Sequence, residues 1–226
     1  MISTYARTNR SLTAQQALTL PALNPLMLNQ MTFDVAIAGL GNASLQFPMQ
    51  WQIGEDKADV TYSLPLGTDT MVADGTVAGQ KFHEEWKFGN TLQITGQIGD
   101  VTEKLDISFA KEGQTWTVKG QVGDVDVQQT LQFKSKADKD VIDVDGSVGG
   151  QTLSQQVLAY RASSDGVSQN TMQGNLAGTP LDANATMHAL KDRIDMQASG
   201  QNGTLSWSMH GQAIYIDPQP EPDPPA

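Results

Sequence analysis

The sequence predicts an all-β protein: an antiparallel meander of about seven repeated β-hairpins, roughly fourteen strands. The meander is expected to roll into a barrel or a two-layer sheet, with an elongated single-layer sheet as the alternative. Three observations carry this expectation. A motif with a central glycine recurs along the chain, a two-residue turn signal follows it at a fixed offset, and apolar and polar residues alternate on both sides of that turn.

The recurrence is visible in "ADGTVAGQKFHEEWKF", "ITGQIGDVTEKLDISF", "VKGQVGDVDVQQTLQF", "VDGSVGGQTLSQQVLAY" and "MQGNLAGTPLDANATM". Taking the first glycine as position zero places the copies at Gly75, Gly96, Gly120, Gly146, Gly174 and Gly200, with Ala38 as an early degenerate copy. The spacings are 37, 21, 24, 26, 28 and 26 residues, the mark of a repeated supersecondary unit. Positions three and four further on are pairs such as Ala78-Gly79, Gly99-Asp100, Gly123-Asp124 and Gly149-Gly150, with Gly41-Asn42 in the first copy. Most of these can place a residue at positive φ, as tight hairpin turns require.

Alternation then assigns the faces. Lys81, His83, Glu85 and Lys87 share a wet face, as do Ser206, Ser208, His210 and Gln212. The other face carries Met49, Trp51, Trp86, Phe88, Ile107, Phe109, Leu131 and Phe133, and is covered. A two-residue turn sets each position-zero residue opposite position seven on the neighbouring strand, so Phe82, Val127, Leu153, Leu181 and Trp207 each face a glycine. The glycine is expected to leave a trough for the larger side chain and to let the strand bend. It is not read as a phosphate loop, because no dinucleotide or P-loop fingerprint accompanies it.

Residues 32–216 form the hairpin domain in this reading. Residues 1–31 are an N-terminal extension in which Thr13 and Gln16 can open a short helix as a capping box, its Leu and Met side chains covering one mouth of the sheet. Residues 217–226, ending "DPQPEPDPPA", are expected to be a disordered, acidic, proline-rich tail.

Composition limits function. The 226 residues carry 25 acids against 14 bases, a net charge of −11, which argues against nucleic acid as a partner. There is no cysteine, hence no disulfide or thiolate metal site, and this is compatible with any compartment, the cytoplasm included. Low Lys with abundant Gly, Thr, Gln and Asp suits a bacterial surface or secreted protein. No apolar run approaches a membrane helix, so no transmembrane segment is expected. A transmembrane barrel, suggested by the aromatic row Trp51, Phe88, Phe109 and Phe133, ranks low because it would turn Glu84 and Glu103 towards lipid.

Catalytic and metal motifs are absent, and no cofactor or metal is expected. His83, His188 and His210 are isolated, and Asp124, Asp126, Asp143 and Asp145 are spread by strand pairing rather than gathered. One constellation survives the geometry. Glu103 falls opposite Gly96 within a hairpin, and a three-residue loop at "FGNT" sets Glu84 beside the same glycine from the other side. Gln129 beside Gly146 and Gln155 beside Gly174 follow the same pattern, making a polar lane on an apolar face. Glu84, Gly96, Glu103, Gln129 and Gln155 are therefore the ligand-binding candidates.

The leading functional expectation is a non-enzymatic, repeat-built β-protein with a structural or interaction role. The alternatives are a carrier of an apolar or amphipathic ligand and a glycan-active enzyme using Glu84 and Glu103 as a carboxylate pair. The partner is a protein, a glycan or an apolar ligand of unknown identity.

Overall fold

The structure is a computed structural model that describes residues 44–110 and 114–216. The fourteen strands are β1 (Ser44–Ile53), β2 (Asp56–Leu64), β3 (Thr70–Val77), β4 (Gln80–Lys87), β5 (Thr91–Ile98), β6 (Val101–Phe109) and β7 (Thr115–Val122), followed by β8 (Val125–Ser135), β9 (Lys139–Val148), β10 (Gln151–Tyr160), β11 (Val167–Leu176), β12 (Thr179–Ala189), β13 (Arg193–Asn202) and β14 (Leu205–Ile216). Each pairs antiparallel with its sequence neighbours, and β1 pairs with β14, so the meander closes into a barrel. Closure leaves no sheet edge to be covered.

Six hairpins take the register set by the repeat. Gly75 pairs with Phe82, Gly96 with Glu103, Gly120 with Val127, Gly146 with Leu153, Gly174 with Leu181 and Gly200 with Trp207. The expected Gly41-Asn42 turn lies outside the described residues, and the first hairpin within them joins β1 and β2. That hairpin turns at Gly54-Glu55, with Trp51 at position zero opposite Ala58. Here the large side chain and the small one have exchanged strands, which hides the unit from a search for glycine.

The turns also stitch the units together. The first turn residue of each hairpin donates its N–H to a carbonyl of the strand before it: Ala78 to Lys57, Gly123 to Thr102, Gly149 to Asp126, Ala177 to Thr152 and Gly203 to Pro180. Gly54 follows the same rule by bonding to Ser206 on β14, which closes the ring. Gly123 sits at φ +58°, a conformation a β-branched residue adopts poorly. Gly123→Val is therefore expected to cost about 1 kcal/mol or more. Urea denaturation measures this, and an unchanged midpoint would place the turn elsewhere.

The glycines at position zero do more than leave a trough. A Cβ at Gly75, Gly120, Gly146, Gly174 or Gly200 would lie within 2.4 Å of a backbone oxygen on the adjoining strand of the preceding unit. Main chain passes too close there for any side chain. Gly96 is different: its Cβ would meet only the side chain of Glu103, with Oε1 at 2.9 Å.

Apolar side chains point inward. Phe47, Met71, Ala73, Val144, Val148, Leu153 and Val157 are almost wholly excluded from solvent, whereas Gln50, Lys57, Asp59, Lys81, Glu85, Lys104 and Lys119 are exposed on the outer wall. Burying a side chain the size of Phe47 or Trp86 stabilises by roughly 1.5–3 kcal/mol. The aromatic row Trp51, Phe88, Phe109 and Phe133 packs against this core, with Trp116 edge-on to Phe109 at 5.0 Å. A round barrel of this many strands has room for a water channel. Here the inner side chains are shut off from solvent, so the interior is not an open channel.

Closure corrects one expectation. The absence of a transmembrane segment was inferred from the lack of a helix-length apolar run. Among the described residues no helix is long and apolar enough to cross a membrane. A closed barrel, however, is the architecture that crosses membranes with strands, and such a run does not test it. The expected N-terminal helix and the proline-rich tail lie outside the described residues.

Candidate functional site

The inner face is apolar with few exceptions. The buried polar side chains among the described residues are Glu84, Glu103, Gln129, Gln155, Asn170 and Asn202, and no buried Lys, Arg or His accompanies them. The two glutamates therefore face a core without a counter-charge, an arrangement that is costly unless protons or a ligand compensate.

Strand register explains how they meet. Tyr62, Ala73, Glu84, Gly96, Glu103 and Val122 are successive cross-strand partners from β2 to β7, one row across six strands. Small residues separate the three polar ones: Ala73 lies between Tyr62 and Glu84, and Gly96 between Glu84 and Glu103. The backbones carrying the two glutamates are two strand spacings apart, about 9.6 Å. Glu103 closes that distance by laying its carboxyl over Gly96, which brings it within hydrogen-bonding reach of Glu84. Tyr62 reaches Glu84 from the opposite side across Ala73. One step along β4, Trp86 stands edge-on to Tyr62 with ring centroids 6.2 Å apart and an interplanar angle of 85°.

Burial pushes the Glu103 carboxyl well above the usual carboxylate range, and the neighbouring Glu84 charge pushes the same way. Burial likewise raises the Tyr62 phenol well above its ordinary value, with Glu84 and Glu103 adding to it. Polar capacity is left over. Glu84 Oε2, Glu103 Oε1 and Trp86 Nε1 are buried without a hydrogen-bond partner in the structure. Native proteins leave few such groups, which makes this row the candidate binding site.

Gln129 and Gln155 are buried beside Gly146 and Gly174, as the repeat predicts. They lie on other rows. Gln129 aligns with Val118, Ile107 and Leu92, and Gln155 with Val144, Leu131 and Trp116. Tyr62 and Trp86 are the members that the sequence reading did not assign to the site. Tyr62 was missed because β2 fell in the long gap between repeat copies.

The outer wall carries other titratable groups. His83 Nδ1 lies 2.8 Å from Asp74 on the neighbouring strand, and this hydrogen bond raises its pKa. Asp143 accepts from Lys134 at 2.6 Å and Gln156 at 2.8 Å, which holds its pKa down. Asp145 and Asp126 bond to Ser154 and Gln121, and among the described residues no group of three or more His, Asp or Glu could hold a metal ion.

No family model matches the chain, and no curated protein matches it. A solved structure described as "KdgM porin" matches with 7% sequence identity and a TM-score of 0.45, covering 76% of this chain and 99% of that one. The closed barrel by itself takes away the ground for expecting no transmembrane segment.

Proposed function

We propose that the protein is a non-enzymatic barrel of the bacterial surface that holds an amphipathic molecule in its interior. The observation that supports this reading is the polar row Tyr62, Glu84 and Glu103, with buried unpartnered oxygens, set into an otherwise apolar inner face. A ligand site of this kind needs apolar walls for bulk and a few convergent polar groups for orientation. The structural or interaction role suggested by the hairpin repeat is compatible with the same barrel, but a purely structural core gains nothing from two uncompensated glutamates. The glycan-active alternative is less favoured. Its carboxyls need ~5–5.5 or ~6.5–9.5 Å between them, whereas Glu84 and Glu103 lie within hydrogen-bonding reach of each other.

Native mass spectrometry on the full chain, purified without denaturation, tests the proposal together with titration of an apolar fluorophore. The expected result is a co-purifying small molecule, or fluorophore binding at one per chain that the released ligand competes away. A bare chain with no fluorophore binding would rule the carrier out.

A further inference from the structure

We propose that the row at Glu84 and Glu103 is the head-group site of this interior and takes the ammonium group of an amphipathic amine; this rests on the carrier reading above. The inner face presents two carboxyls, and the buried side chains of the described residues include no cation to balance them. Glu84 Oε2 and Glu103 Oε1 are acceptors without donors. A primary ammonium supplies three N–H donors and one positive charge, and so answers both deficits at once.

The surroundings suit that group in shape and field. Tyr62 and Trp86 meet edge to face beside the carboxyls, and aromatic surface next to a desolvated cation adds attraction through the ring quadrupole. Gly96 gives the Glu103 carboxyl its place: a methyl group there would occupy the space in which that carboxyl lies. None of the other repeat glycines has this relation, since a Cβ at each of them meets main chain instead. Beyond the head-group, buried Ile94 and Ile98 flank Gly96 on β5 and offer the apolar contact that an alkyl chain requires.

Hydroxylated ligands are a weaker match. An alcohol gives one donor and no charge, so it leaves at least one carboxylate oxygen unanswered. An anionic amphiphile adds a negative group beside two carboxyls in a wall with no buried cation among the described residues. The order of affinity for one chain length is therefore amine, then alcohol, then carboxylate.

Calorimetric titration of the full chain at neutral pH, with dodecylamine, dodecanol and dodecanoate each below its micelle concentration, tests this order. The expected result is one amine per chain, bound about tenfold or more tighter than the alcohol. The Glu84→Gln, Glu103→Gln double variant is expected to bring the amine down to the alcohol's affinity. Equal binding of amine and alcohol by the unaltered protein would overturn the ammonium site while leaving the carrier reading intact. Binding of none of the three, with the fluorophore also excluded, would overturn both. The comparison on the unaltered protein decides the matter even if the double variant does not fold.

Discussion

Gly146→Ala is expected to cost about 3 kcal/mol, near the top of the range for overpacking a close contact, although it adds a single methyl group. The added Cβ would stand 2.1 Å from the Gln128 carbonyl oxygen and 2.7 Å from the Gln129 Cα. Both are main chain on β8, so relief requires moving a strand that is hydrogen-bonded on its two sides. The same change at Gly96, the equivalent position two units earlier, meets only the Glu103 carboxyl end at 2.9 Å. That group can rotate, and a loss of about 1 kcal/mol or less is expected. Urea denaturation of the two variants side by side gives the difference directly. Equal losses would show that close main-chain approach is not the reason for glycine at 146.

The contrast shows which parts of the fold could be read from the residues. Six registers follow from turn chemistry, because a two-residue turn leaves only one pairing for the strands it joins; Gly174 with Leu181 and Gly200 with Trp207 are set in this way. Glu84 beside Gly96 also follows, since the short "FGNT" connection leaves little choice of register. Closure does not follow. Alternation reads the same in a barrel, a two-layer sheet or an extended one, and the pairing of β1 with β14 joins residues more than 150 apart in sequence. The close approach at the repeat glycines is illegible for a related reason: it depends on how one hairpin lies against the previous one. The first hairpin escaped because Trp51 and Ala58 reverse the usual order of small and large residue. With β2 in the gap between repeat copies, nothing in the sequence places Tyr62 beside Glu84 or Trp86 against Tyr62.

Glu103→Gln is expected to stabilise the barrel above neutral pH and to have little effect near pH 4. The Glu103 pKa is raised in the folded chain, first by burial and then by the Glu84 charge. An acid of this kind holds its proton more tightly folded than unfolded, so its contribution to stability is greatest below the unfolded value, about 4.3. It is lost as pH rises from there through the folded value. Glutamine has no proton to lose, and its variant lacks that alkaline decline. The gain at pH 8 is expected to be about 1–3 kcal/mol, the cost of leaving a buried polar group unsatisfied. Urea midpoints at pH 4, 6 and 8 for both proteins measure it, and parallel pH profiles would mean that Glu103 is not held uncharged by its surroundings. Glu84→Gln separates the two causes. Removing that charge is expected to lower the Glu103 titration midpoint, followed by carboxyl NMR, only part of the way to its ordinary value, because the enclosing wall of Ile94, Ile98 and Leu105 is unchanged. A complete return would assign the shift to Glu84 alone. No movement would mean that the two carboxyls do not share the space over Gly96.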